Sequence, residues 1–215
     1  MAASLITAKT GVYDRFRRDQ QLLGLMDALK DDLEKVARDL IAGRVTSTGA
    51  VQAADKVFTL RHNQAAVLGF KLAAAQNKMV NPLMAFPASI GHRVAQSQNP
   101  FFRSLRTDIL EGRYEEEDGK RSAALDARLQ LYANRLAGTA NESWADAMQK
   151  SGVLVLWVLG ENEEHCGDCL FESKQGWRNP GMLKRYPGDG STICVTNCRC
   201  ALTTKGGVAS FKVRQ

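Results

Sequence analysis

The feature that most constrains this chain is the placement of its cysteines. All five lie between residues 166 and 200 of a 215-residue sequence, as one Cys-x-x-Cys motif and a second cluster that begins 25 residues after it. A Cys-x-x-Cys turn directs two thiolates toward one ion, and a second cluster can complete a tetrahedron. Metal–thiolate bonds can then fold a segment that is too short to bury a core of its own. The sequence therefore predicts one structural zinc site near the C-terminus.

Five thiols exceed the four ligands that one zinc ion takes. The candidate metal ligands are Cys166, Cys169, Cys194, Cys198 and Cys200. The first three are the firmer predictions, whereas Cys198 and Cys200 compete for the fourth place, with Cys198 slightly favoured. His165 precedes the first motif directly, and we interpret it as a neighbour of the site because thiolates already fill the shell.

Two other uses of these cysteines remain open. A Cys-x-x-Cys motif is also typical of thiol redox proteins, although those place it in a βαβ unit and need no second cluster. Disulfides are the alternative to zinc, and they require an oxidising compartment. The N-terminus has no convincing signal peptide, and five cysteines leave one thiol unpaired, but a particle that leaves its cell can oxidise later.

The composition is that of an ordinary globular protein with a mild excess of basic residues. Hydrophobic residues make up 44% of the chain and charged residues 24%, with a net charge of +6. The longest apolar run, 153–159, is the length of a strand, whereas a membrane span needs roughly 20 residues. We therefore expect no membrane association. The basic balance suits contact with nucleic acid or an acidic protein surface, but no block of lysine and arginine resembles a DNA-binding arm.

The first part of the chain is predicted to be helical. Apolar residues from Leu22 to Leu40 repeat every three or four positions and predict one long helix over 13–42. A second apolar stripe predicts a helix over 47–75, and the short link between the two helices predicts a hairpin over 13–75. Within the second helix, Arg61 and His62 are interpreted as surface or interface groups.

The rest of the chain alternates connectors with further elements. A proline-rich connector is predicted over 76–99 as a candidate contact surface, followed by a short helix over 100–111 that starts at Asn99-Pro100. A charged turn precedes a long helix over 122–150, which leads to a buried strand over 153–159; a second strand is expected at 201–204. The predicted fold is mainly α, with helices in a hairpin or bundle and a small β-containing zinc knuckle. We divide it into a helical region 1–121 and a region 122–215 that carries the cysteines.

Catalytic motifs are missing from the sequence. It contains no phosphate-binding glycine loop, no nucleophile elbow and no His-Glu-x-x-His zinc motif. The three histidines, His62, His92 and His165, are scattered along the chain. A closed shell of thiolates also leaves no coordination position for a reacting water. We therefore expect a protein that is not an enzyme.

The C-terminal third carries a recognisable combination of motifs. An apolar segment with a tryptophan, 155–157, precedes Cys166-x-x-Cys169, and a Gly/Pro turn then leads to Asn197-Cys198-Arg199-Cys200 and a short apolar strand. With the preceding helix, these motifs make residues 122–204 resemble the cysteine-bearing end of tailed-bacteriophage minor head proteins, the head-morphogenesis group that includes the Mu F-like proteins. In that family the closing motif is often His-Pro-Asn-Cys-Arg-Cys; here Cys194 stands near the place of the His, which favours an all-thiolate site.

The resemblance implies a minor structural protein of a tailed-phage head, made in the host cytoplasm and carried in the virion. Portal or capsid proteins would be its partners during head assembly or DNA packaging, within a homo- or hetero-oligomeric assembly. Non-specific contact with packaged DNA is compatible with the basic balance. The alternative is a zinc-ribbon protein that binds nucleic acid through a patch of basic side chains around the knuckle. That patch would contain Lys174, Arg178, Lys184, Arg185 and Arg199.

Overall fold

The computed structural model describes residues 2–78, 80, 88–114, 122–160, 164–195, 198–206 and 210–211, with side chains from residue 19 onward except at residue 88. The elements are α1 (Ala2–Ile41), α2 (Ser47–Gln76), α3 (Ala88–Leu110), α4 (Ala123–Lys150), β1 (Val155–Val158), α5 (Gly167–Lys174) and β2 (Ala201–Thr204). This mainly helical architecture, with a small sheet near the clustered cysteines, confirms the predicted fold class. Among the helices described, none is both long and apolar enough to cross a membrane.

Helices α1 and α2 form the hairpin that the apolar repeats predict. Leu29 and Leu33 on the α1 stripe are completely buried. Thr46 caps α2, since its side-chain oxygen accepts a hydrogen bond from the backbone N–H of Gly49. Across the hairpin, Arg61 pairs with Asp32 at 2.6 Å, so Arg61 serves the contact between the two helices.

Helix α4 packs on α2 at backbone distance. A Cβ added at Gly69 would come within 2.1 Å of the carbonyl oxygen of Ala140. Close by, the hydroxyl of Ser143 donates a 2.7 Å hydrogen bond to the carbonyl of Ala66. One hydrophobic core includes side chains from α1, α2, α3 and α4. The division into 1–121 and 122–215 stays a prediction.

Helix α3 begins earlier than the sequence suggests. The predicted start at Asn99-Pro100 is wrong, because α3 runs from Ala88 through Pro100 to Leu110. Buried Ala95 and Phe102 lie on either side of the proline, and their packing maintains the helix although proline removes one backbone hydrogen bond. Asn99 does not cap a helix; its amide donates a 3.0 Å hydrogen bond to Asp55 on α2. The rest of the predicted connector, 81–87, and the charged turn 115–121 lie outside the described residues.

His62 is a core residue. The prediction of a surface or interface histidine is wrong, because His62 has no solvent exposure. Its Nδ1 lies 2.7 Å from the hydroxyl oxygen of Thr139 on α4. Burial, and then repulsion by Arg135, lowers the pKa of His62 to about 3, so the imidazole is neutral in the folded protein at neutral pH.

This burial predicts a pH dependence of folding. The pKa of His62 is lower in the folded than in the unfolded chain, so the unfolded state binds more protons between the two values. We expect the free energy of unfolding to fall by about 1.4 kcal/mol for each pH unit below about 6.5. Between pH 6.5 and pH 5, the free energy of unfolding measured with urea should therefore fall by about 1.6 kcal/mol more in the wild type than in a His62→Gln variant. Equal losses in the two proteins would contradict a neutral, buried His62.

Candidate metal centre

The two strands bring the cysteine motifs to one place. Strands β1 and β2 pair antiparallel, with Val155 opposite Thr204 and Val158 opposite Ala201. The end of β1 and the start of β2 therefore lie at the same end of the sheet. The first motif follows β1 in sequence and the second cluster directly precedes β2, so both are delivered to this end. Backbones touch here, because a Cβ at Gly160 would lie 2.5 Å from the carbonyl oxygen of Arg199.

Helix α5 positions the first two thiols. Cys166 is its N-cap residue and Cys169 lies in its first turn, where the helix dipole favours negative charge. The same turn holds the loop that carries Cys194, since the Asp168 carboxylate accepts a 2.9 Å hydrogen bond from the backbone N–H of Ile193. Arg185 pairs with Asp168 at 2.5 Å. The hydrogen bond to Ile193 holds the neighbouring Cys194 beside α5, and the ion pair with Arg185 holds the Asp168 carboxylate that accepts this bond.

The five sulfur atoms form a compact cluster. The Cys166–Cys194 sulfur distance is 3.5 Å, and the Cys169–Cys194 and Cys169–Cys198 distances are each 3.6 Å. Two groups of three sulfurs, 166/169/194 and 169/198/200, share Cys169, and within each group all sulfurs lie within 4.8 Å of one another. A disulfide needs about 2.05 Å, and all five cysteines are free thiols. The cluster could therefore hold a metal ion.

Burial separates the thiols into two sets. Cys169, Cys198 and Cys200 are buried, whereas Cys166 and Cys194 are partly exposed. Hydrogen bonds from Cys169, then from Cys198, lower the pKa of Cys200, while the hydrogen bond to Cys198 raises the pKa of Cys169. Among the three buried cysteines, the cluster thus favours a thiolate at Cys200 and protonated thiols at Cys169 and Cys198, whose pKa values are raised. A metal cation would replace those protons and accept several thiolates at once.

The fourth ligand has two candidates on different grounds. The 3.6 Å distance to Cys169 favours Cys198. Cys200 is favoured by the indole N–H of Trp157. This N–H helps to lower the pKa of the Cys200 thiol, and it is buried without a hydrogen-bond partner among the described residues. An N–H donor directed at a ligand sulfur is a usual feature around metal sites. His165 belongs to neither sulfur group.

Some residues of the site escape sequence reasoning. Thr192 places its hydroxyl oxygen 3.2 Å from the Cys194 sulfur. Glu172 is buried on α5 and forms ion pairs with Arg178 and Arg185. The signal for Glu172 is its spacing, three residues after Cys169 and therefore on the same helix face. Since Arg178 and Arg185 are engaged within the fold, the basic patch expected around the knuckle has fewer cations to offer a nucleic acid.

No protein-family model, curated protein or solved structure matches this chain. Among the described side chains, the thiol cluster is the group whose chemistry points most specifically to a function, the binding of a metal ion.

Proposed function

We propose that this chain is a non-catalytic structural protein of a tailed-phage head, and that one zinc ion folds its C-terminal region. The protein acts beside portal or capsid subunits during head assembly or DNA packaging and remains in the virion. Four of the five cysteines hold the ion, with Cys166, Cys169 and Cys194 joined by Cys198 or Cys200. Thiolates are the ligands that structural zinc sites use most often in proteins.

The sulfur geometry is the main support for the metal. Four thiolates at about 2.3 Å from a zinc ion stand about 3.8 Å apart, close to the 3.5 and 3.6 Å distances in the cluster. Thiolates are soft ligands, and they favour zinc over magnesium, calcium and manganese, which prefer carboxylate oxygens.

The surroundings of the cluster support a structural role. Cys169, Cys198 and Cys200 belong to the hydrophobic core together with Trp157 and Leu202 of the sheet. Four thiolates in such a position complete the shell of the ion and leave no place for a substrate or a reacting water. The ion would hold α5, the loop 191–195 and β2 together.

The assignment to a phage head rests on the resemblance of residues 122–204 and is compatible with the rest of the chain. Long helices in a bundle offer extended faces for docking onto larger assemblies. The net charge of +6 tolerates neighbouring DNA without a dedicated nucleic-acid arm. A zinc-ribbon function is less well supported, because Arg178 and Arg185 are held in ion pairs.

The metal is tested on the purified protein. Native mass spectrometry and elemental analysis are expected to find one zinc per chain, released together with alkylation of the thiols when a strong chelator is added. Thiols that react fully before chelation, in a protein without metal, would contradict the zinc site. Iron or another metal at the same stoichiometry would contradict zinc but not the site.

The head assignment needs a separate measurement. We expect mass spectrometry of virions purified from the strain that carries the gene to detect the chain in a constant ratio to the portal and capsid proteins. Crosslinking in the particle should connect it to one of those subunits. Absence from particles that contain all other head proteins would overturn the assignment and leave the metal site untouched.

A further inference from the structure

Two cavities follow one another along a single face of α4. The first, about 420 Å³, lies between α3 and α4 and reaches Val195 of the cysteine loop. The second, about 380 Å³, continues between the same helices and is closed on its third side by residues 183–189. Both are lined by Arg135, where they meet. Together we name them the α4 groove; from Ala124 to Glu142 it extends about 27 Å along the helix.

One half of the α4 groove is apolar. Phe101 of α3, Leu131 of α4 and Val195 of the loop line it, and each is between 43% and 45% exposed. Three large apolar side chains from three separate segments therefore converge on one cavity. Such convergence is typical of surfaces that bury apolar side chains of a partner.

The middle of the groove carries a cation. The Arg135 guanidinium stacks 4.5 Å above the ring of Phe101, and among the described residues it has no hydrogen bond or ion pair. Burial lowers the pKa of Arg135, while Asp189 opposes this effect. The Asp189 carboxylate is itself occupied, because it accepts hydrogen bonds from the backbone of Tyr186 and Ser191. A half-buried guanidinium with free N–H donors can bind a carboxylate of a ligand through two parallel hydrogen bonds.

Val195 has a strained backbone at the edge of the groove. Its φ angle of 51° places a β-branched residue in the left-handed region, a strained conformation that is found preferentially at functional sites. Cys194, fixed by the sulfur cluster, precedes it directly. The loop thus holds a strained residue whose exposed side chain lines the groove.

We infer that the α4 groove binds a peptide segment of another protein, one that carries apolar side chains next to a carboxylate. The apolar side chains would cover Phe101, Leu131 and Val195, and the carboxylate would pair with Arg135. Exposed Lys184, at the far end of the groove, would favour further acidic residues. This inference takes from the proposed function only that the protein docks onto other proteins.

A peptide fits the groove better than a nucleic acid does. Single-stranded nucleic acids are held by aromatic faces and by a track of cations along the backbone. Phe101 lines the apolar half, and Arg135 already covers one face of its ring. Two further arginines of the groove are already paired, Arg93 with Glu142 and Arg128 with Asp108, so few cations are left for phosphates.

The test selects ligands for the groove and then removes it. A yeast-displayed library of random dodecapeptides is selected on the zinc-loaded full-length protein, and the enriched peptides are synthesised and titrated by fluorescence anisotropy. We expect peptides rich in apolar residues with at least one aspartate or glutamate.

Leu131→Asp and Arg135→Gln should each weaken the binding of these peptides about tenfold or more, while zinc content and melting temperature stay unchanged. Leu60→Asp and Arg103→Gln, the same changes at exposed helix positions outside the groove, should leave binding unchanged.

Val195→Gly separates binding from stability. Glycine adopts the left-handed conformation without strain, so this variant should be at least as stable as the wild type and yet bind the peptides more weakly. Peptides that bind all variants equally, that are basic, or that cannot be enriched at all would overturn the inference. Displacement of the peptides by a short single-stranded DNA would overturn it in favour of a nucleic acid. If the protein is found in virions but its groove variants bind the peptides as the wild type does, the groove inference falls and the proposed function stands.

Discussion

A Cys169→Ser variant is expected to lose the proposed zinc ion and with it the arrangement of α5, the loop 191–195 and β2, while α1, α2 and α3 remain helical. Cys169 is the sulfur shared by both groups of the cluster, so its removal leaves neither group complete. Structural zinc contributes about 10–16 kcal/mol of binding free energy in zinc-finger peptides at neutral pH. Loss of even part of that contribution is large beside the roughly 5–15 kcal/mol that stabilise a typical domain.

Circular dichroism and elemental analysis, each with and without chelator, check this result. Chelator should convert the wild type to the spectrum of the variant and should leave the variant unchanged. Ser173→Ala is the matched control on α5, because within the described part of the chain its hydroxyl donates a hydrogen bond only to the backbone carbonyl of Leu170; it should keep the metal. Cys198→Ser and Cys200→Ser form a second pair, of which one should lose the metal and thereby identify the fourth ligand. Full metal content in Cys169→Ser would overturn Cys169 as the shared ligand, and full metal content in a variant that also lacks Cys194 would overturn the cluster as the binding site.

Gly69→Ala is expected to destabilise the bundle by about 3 kcal/mol or more, because overpacking against a backbone cannot be relieved by side-chain movement. The added methyl group would meet the carbonyl oxygen of Ala140 at 2.1 Å, and α2 and α4 would have to move apart. Separation would also strain the bond from Ser143 to Ala66. Urea unfolding followed by tryptophan fluorescence measures the loss, since Trp144 lies in the core.

Gly24→Ala is the matched control on α1. Apart from the adjoining backbone of α1, no atom of the described residues lies within 4 Å of a Cβ added there, so the methyl group should fit. Alanine is the better helix former by up to about 1 kcal/mol, and the variant is expected to gain stability. If Gly69→Ala gained stability too, α2 and α4 would be farther apart than the structure has them.

Much of the fold follows from local patterns in the sequence. The α1 and α2 stripes and the short link between them predict the hairpin, because a repeat of three and four residues has one helical interpretation. The start of α3 was predicted wrongly, since Asn99-Pro100 is a favourable helix start taken alone. The burial of Ala95 and Phe102 depends on contacts with other helices and is not a local property. This packing decides that the helix continues through Pro100.

The candidate site is less predictable than its residues. Spacing identifies all five cysteines, but the choice of a fourth ligand depends on differences of an ångström that sequence does not encode. His62 appeared as a surface group because its partner, Thr139, is 77 residues away. A buried polar pair of that kind can be recognised only after both helices are placed.

Asn141 of α4 implies an order of folding. Its amide donates to the carbonyl of Pro187 and accepts from the backbone N–H of Phe211, so one helical side chain anchors chain segments on both sides of the second cysteine cluster. These anchors exist only once α4 has formed, and the helices should therefore fold before the metal binds. The two thiol motifs would then already be held near each other at high effective concentration. Much of the entropic cost of closing the loop between them would be met by folding, not by binding of the ion.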